Sequence, residues 1–345
     1  MKIVFKRSRE SGVALLLVLF VVALSTIITV NLAYSSFIEG RLNNLTAKNL
    51  QAEYLLKSTV NAARALLIED SREDDTFDAE QDPWAFFING LEVSSLLGIN
   101  SGVRVELEIR PENTKIPLRR LLSGRNAPRA GDTRWRDALA KLFTELGFDE
   151  DGEENKTENF TGRVFSSQEL VSVLIDYMDQ DEKAYRPEDS FAEGIERDGL
   201  PLGFSNRPIR RFSELGAVPG FTAKRMRQLF PLLSAWGNST VNINLAPLEV
   251  LTALHPDMDP ARAQAIIESR SEEPFDNVNK SDKLRDIFPD DVVNELVQFM
   301  IQVRSSKFQV IAKVDYGTAV YFMRAQIEKG RSGQLPRIES IELSF

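Results

Sequence analysis

The chain has no cysteine and a single histidine among its 345 residues. The first absence excludes disulfides, cysteine-based zinc sites and a thiol nucleophile. The second leaves His255 as the lone imidazole, beside Pro256 at a helix end, where capping is a commoner role than catalysis. No Gly-Lys phosphate loop, nucleophile elbow or zinc-binding His pair occurs. These absences argue against an enzyme. Excess positive charge is missing too. The formal net charge is −9, which speaks against non-specific binding to nucleic acid.

Charge is also absent locally. Residues 13–30 carry none, and nearly all are apolar or β-branched. Extended through Asn31-Leu32-Ala33, the run reaches roughly 30 Å as a helix, the thickness of a bilayer's hydrocarbon core. Lys2, Lys6, Arg7 and Arg9 precede it against a lone Glu10. That bias predicts a cytoplasmic N-terminus, with everything after residue 33 across the membrane. Residues 34–68 contain no proline and one glycine, Gly40. Leu42, Leu45, Ala52, Leu55, Leu56, Thr59, Ala62, Ala63, Leu66 and Leu67 recur at three- and four-residue steps. The spacing predicts one helix over 13–68, membrane-spanning at 13–33 and periplasmic at 34–68, on the order of 80 Å long.

The junction Arg9-Glu10-Ser11-Gly12-Val13 resembles the class III leader of type IV pilins and pseudopilins. In that superfamily a membrane peptidase cuts after the Gly and the apolar helix is kept. The resemblance implies that residues 1–12 are a cytoplasmic leader, and that Gly12 and Val13 flank the cut made by the prepilin peptidase. It also implies N-methylation of Val13. Most pilins carry Glu at the fifth mature position, where this chain has Leu17. The lack of that Glu is similar to one group, the K-type minor pseudopilins of bacterial type II secretion systems.

Beyond a charge-dense loop at 69–75, Pro83-Trp84-Ala85-Phe86-Phe87 is expected to pack as core beside the helix end. Residues 102–110 alternate strictly and predict a half-buried strand. Lys115-Ile116-Pro117-Leu118 reads as a short return strand, demoted to an edge by Pro117. Helical periodicity follows at 135–147, 167–177, 212–217, 222–235, 246–254, 260–270 and 288–303, with Ser166 or Ser167 as a cap. The acidic stretch 149–158 is expected to be a mobile loop. Strand character returns at 308–316, 319–328 and 337–345, with a hairpin at Asp315-Tyr316-Gly317. The expected class is α+β: a long helix packed on an antiparallel pilin-like sheet formed by 69–120 and 304–345. A helical domain at 121–303 would be inserted between its strands, which costs little closure entropy. That layout also resembles the K-type pseudopilin.

Two motifs in the insert can carry chemistry. Asp176, Asp179 and Asp181, with Glu196 and Asp198 returning from a later loop, offer hard oxygens of the kind Ca²⁺ prefers. The spacing lacks the central Gly of an EF-hand. The K-type family has a similar Asp-x-x-Asp-x-Asp stretch and Gly-x-Glu loop, so the resemblance implies calcium at Asp176, Asp179, Asp181 and Glu196. Residues 215–229, 241–254 and 259–267 look like helix-hairpin-helix repeats. Pro219-Gly220 with Lys224, Arg225 and Arg227 would suit phosphate in a DNA-binding version. His255-Pro256-Asp257-Met258-Asp259 would repel it, and a packing role is favoured. The expected function is a minor pseudopilin that caps the tip of the periplasmic pseudopilus and helps start its assembly. Its implied partners are the I- and J-type minor pseudopilins, the major pseudopilin, the inner-membrane assembly platform and the prepilin peptidase. The alternative is a minor pilin of a type IV pilus or DNA-uptake system whose hairpins bind DNA.

Overall fold

The computed structural model describes residues 10–70, 76–99, 102–123, 129–130, 132–156, 160–188, 192–195, 204–237, 240–330 and 333–344. The chain divides into two compact units, Met1–Ser58 and Thr59–Phe345. One helix, α1 (Glu10–Asp70), supplies the first unit and runs into the second. With neither proline nor any break in its apolar pattern, nothing in 13–68 interrupts the i→i−4 ladder. In the first unit Val13 through Val30 are exposed, Leu17 at 61%. Thr26 and Thr29 donate their hydroxyls to the Val22 and Ser25 carbonyls at 2.8 Å, so these polar groups need no partner from outside the helix.

In the second unit, five strands form an antiparallel sheet in the order β1-β2-β9-β10-β11. They are β1 (Leu91–Glu92), β2 (Arg104–Pro111), β9 (Lys307–Asp315), β10 (Val320–Glu328) and β11 (Arg337–Ser344). Alternation along β2, β9 and β10 puts Val105, Leu107, Ile109, Phe308, Val310, Ala312, Met323, Ala325 and Ile327 on one buried face. The helical stripe Val60, Ala63 and Leu67 is buried as well. Trp84 meets Phe308 edge to face at 5.0 Å. Phe87 is buried too, whereas Phe86 is 72% exposed, so only part of the aromatic run is core.

Strands β2 and β9 are hydrogen-bonded neighbours, from Arg104↔Asp315 to Pro111↔Phe308, although residues 112–306 lie between them in sequence. This excursion builds its own core, from Ile116 and Trp135 to Met300 and Val303. Its helices are α2 (Thr133–Glu145), α3 (Ser167–Met178), α4 (Ala223–Leu229), α5 (Leu248–Ala253), α6 (Pro260–Glu272), α7 (Asp282–Ile287) and α8 (Asp290–Glu295). Ser166 caps α3 in a reciprocal box with Glu169.

Three expectations need correction. The segment at 115–118 does not return along β2. Its strand, β3 (Ile116–Pro117), pairs in parallel with β6 (Leu233–Ser234) inside the excursion, because the turn at Glu112–Thr114 redirects the chain. The excursion is therefore not purely helical. It also holds the pair β4 (Leu122–Ser123) with β5 (Arg129–Ala130) and the pair β7 (Val241–Asn242) with β8 (Ile301–Gln302). The helix read at 222–235 stops at Leu229, short of β6, whereas the one read at 288–303 runs as α8 to Glu295 and on through a π turn at Leu296–Met300 until β8 takes over.

The excursion is fastened to the sheet by buried polar groups. Asn242 donates to the Asp78 carbonyl and to Ser305, and the Asn113 side chain accepts from the Ser306 and Lys307 amides. Trp236 Nε1 donates to Glu339 on β11 at 2.6 Å.

Candidate functional site

The acidic site grows out of the last turn of α3. Ser166 fixes where the helix begins, so Asp176 falls among buried positions and Asp179 follows as the residue that ends it. Both carboxylates are buried, at 0% and 3% exposure. Carboxylates at a helix C-terminus meet the negative end of its dipole. Asp176 Oδ1 accepts the Tyr185 amide at 2.7 Å, and Gly194 donates its amide to the Tyr185 carbonyl. The loop thus folds back so closely that a Cβ built on Gly194 would lie 2.0 Å from Asp176 Oδ2. Only glycine lets the backbone come this near. Asp181 is exposed, with Oδ1 accepting the Lys183 amide. Glu196 and Asp198 lie outside the described residues. Of the five acids named from the sequence, the fold therefore brings two into one buried place, beside a loop held against them. Oxygen donors, buried charge and a cradle without a side chain fit a hard cation such as Ca²⁺.

A second acidic group went unread in the sequence. Carboxylate oxygens of Asp70, Asp78 and Asp82 lie within 4.8 Å of one another. Lys329 sends its ammonium among them, bonding Asp70 and, at 2.6 Å, Asp78. Burial works to lower the Lys329 pKa, and the two carboxylates outweigh it, holding the group well above the usual lysine range. The chain thus supplies its own cation there. No local signal announces it, because Lys329 lies more than two hundred residues from its partners.

Of the helix-hairpin-helix basic residues, Arg225 faces inward and Lys224 is paired, while Arg227 is exposed. Arg225 is fully buried, in a two-point pair with Asp151 at 2.7 and 2.9 Å, and donates to the carbonyls of Gly220 and Phe148. The Gly220 amide is taken by Asn155, and a Cβ at Gly220 would meet Leu170 at 2.5 Å. The Phe221 and Thr222 amides are likewise taken within the hairpin, by the Val218 and Gly220 carbonyls. Lys224 reaches Glu153 at 3.3 Å. In the second hairpin, Lys141 donates to the carbonyls of His255, Pro256 and Met258. His255 accepts the Asp257 amide on Nδ1, a capping role. The acidic stretch expected to be mobile is instead part of this framework. Asp149 accepts from Ser167, and Asp151 neutralises Arg225. Arg225 and Gly220 of the first hairpin thus serve packing.

Gly12 and Val13 sit on α1, with open space around the Gly12 Cα. Comparison with known proteins bears on what such a helix carries. A family model described as type II secretion system (T2SS), protein K, matches residues 241–284, and a second with the same description matches residues 114–238. The two matches support a K-type minor pseudopilin. The chain is 22% identical over 342 residues to the type II secretion system protein K of Pseudomonas aeruginosa, covering 95% of this chain and 92% of that one. A chain in the crystal structure of the GspK-GspI-GspJ complex from the enterotoxigenic Escherichia coli type 2 secretion system has the same fold. Its TM-score is 0.64 at 14% identity, over 88% of this chain and 99% of that one. Together these findings support a minor pseudopilin, a structural component of the type II secretion apparatus. The chain's single N-terminal apolar helix is consistent with a single-pass anchor in the inner membrane.

Proposed function

We propose that this minor pseudopilin occupies the tip of the periplasmic pseudopilus and helps to start the filament, together with minor pseudopilins of the I and J types. The N-terminus lies in the cytoplasm and the body in the periplasm. The prepilin peptidase cuts between Gly12 and Val13, and Val13 becomes the methylated mature end. The observation that carries the reading is Leu17. A carboxylate within a bilayer is costly unless paired, and in pilins the Glu at this position is taken to pair with the amine of the subunit above. A subunit with nothing above it needs no such carboxylate. Bulk supports the same place. Residues 112–306 emerge between two adjacent strands of the sheet, and such a mass hinders close stacking within a shaft. The solved complex that shares this fold joins three proteins, which supports partners of that kind. Calcium belongs to the same reading. Asp176 and Asp179 would hold it, with the Gly194 loop close against Asp176.

Leu17→Glu tests the tip. An unpaired carboxylate costs up to about 2.5–3.5 kcal/mol at mid-bilayer. Secretion and filament initiation should fall, while cysteine cross-links from the body should stay confined to the filament end. Normal assembly of the variant, with cross-links along the shaft, would overturn the proposal.

A further inference from the structure

The basic residues of the first hairpin are not all consumed by packing. Residues 204–230 hold Arg207, Arg210, Arg211, Lys224, Arg225 and Arg227 against one acid, Glu214, within a chain of net charge −9. Arg225 is internal, Lys224 faces Glu153, and Arg207 pairs with Glu214 at 3.0 Å. Arg211 meets Glu342 at 2.9 Å, but the two side chains are 69% and 46% exposed, so water screens the pair. Arg210 and Arg227 are exposed, and among the described residues neither side chain has an ion-pair partner. An aromatic pair links the two segments that carry them. Phe230 packs edge to face on Phe212 at 5.3 Å and remains 43% exposed. Arg211 precedes Phe212 in the chain, and Arg227 lies one helical turn before Phe230. Met226 seats the 3-10 turn Phe212–Ala217 against α4, since a Cβ on Gly216 would meet its Sδ at 3.4 Å.

We propose that this face, Arg210, Arg211 and Arg227 around Phe230, docks an acidic segment of a protein partner. Arginines flanking an accessible aromatic ring have the composition of interface hot spots. The carboxylate class follows from charge. A partner with clustered Asp and Glu is repelled by most of this acidic chain and attracted here, which fixes its approach as well as its affinity. Nucleic acid is the poorer occupant, because the adjacent hairpin turns its amide groups inward. The proposal is independent of where the subunit sits along the filament.

The test uses the full-length protein in detergent and a labelled peptide of alternating Glu and Asp around one Phe. Its lysine counterpart and a single-stranded oligonucleotide serve as competing probes. The acidic peptide alone should bind, weakening about tenfold between low and physiological salt. Arg210→Glu with Arg227→Glu should reduce binding at least tenfold, roughly, at an unchanged melting temperature. Should that pair prove unstable, Arg210→Ala with Arg227→Ala gives the same reading with a smaller loss. Phe230→Ala should weaken binding about tenfold without altering the salt dependence. Absence of binding by the acidic peptide would overturn the proposal, as would equal binding by the arginine variants. So would an oligonucleotide that binds more tightly and is lost with the same substitutions.

Discussion

Arg225 and Asp151 show how far a residue's surroundings decide its role. An arginine behind Pro219-Gly220 has the spacing of a phosphate ligand, yet its guanidinium is spent on one carboxylate and two carbonyls. Removing one partner of a buried pair leaves the other charge uncompensated. Arg225→Met should therefore destabilise by about 3–5 kcal/mol, and Arg225→Met with Asp151→Leu should recover much of the loss in chemical denaturation. For Asp151, burial works to raise the pKa, and the hydrogen bonds from Arg225 and the Glu153 amide outweigh it, holding it below the usual range. Asp149 is lowered likewise against burial, by its bonds from Ser167 and Thr144. A carboxyl depressed on folding contributes stability above its unfolded pKa, about 3.9, and loses it as pH falls through the folded value. The melting temperature should accordingly drop below about pH 4, and less steeply in Asp149→Asn, as calorimetry can check. Gly194 belongs to the same scale. With no room for a Cβ beside Asp176, Gly194→Ala should abolish the rise in melting temperature with Ca²⁺. That rise is worth about 2.7 kcal/mol at a hundredfold excess over Kd. A parent protein whose melting ignores Ca²⁺ would remove calcium from the reading.

At the scale of elements, α1 and β11 differ in what sets them. The helix is dictated locally, by an apolar run without charge followed by a three- and four-residue stripe without proline. Its processing is equally local. Gly12→Glu should leave the precursor uncut, and the N-terminal sequence of the mature parent should begin at Val13. A mature chain beginning near residue 34 would mean an ordinary signal peptide and would end the pilin reading. Strand β11 has little burial of its own, with Ile341 47% exposed. It is held by the β10 ladder and by a side chain from far away, Trp236 on Glu339.

For the whole molecule the issue is whether the excursion can be removed. Chain connectivity says yes, since Pro111 and Phe308 are already neighbours across the sheet. Packing sets a condition. Ile116, Leu118 and Leu121 belong to the excursion's core, and Asn242 and Trp236 bond the sheet unit. Replacing residues 119–307 with a Gly/Ser linker that joins Leu118 to Phe308 should give a sheet that folds with a markedly lower melting temperature. Polar replacements at Ile116 and Leu118 should restore part of it. A truncation as stable as the parent would mean that these contacts contribute little. Loss of all cooperative melting, even with the replacements, would make the sheet and the excursion one inseparable fold.

The sequence by itself determined the long helix, the alternating strands β2, β9 and β10, and a serine cap at 166 or 167. Each rests on periods or spacings within one turn or one strand, so the signal is local. Tertiary structure alone decided the rest. Whether 115–118 pairs with β2 or with β6 depends on a partner over a hundred residues away, and a two-residue ladder leaves no period to read. Whether Arg225 faces a phosphate or Asp151, and whether 149–156 is loose or structural, turns on which charges become neighbours after collapse. Lys329 reaches Asp70 and Asp78 for the same reason: burial makes an unpaired charge costly, and only the folded chain settles which partner is near enough to relieve it.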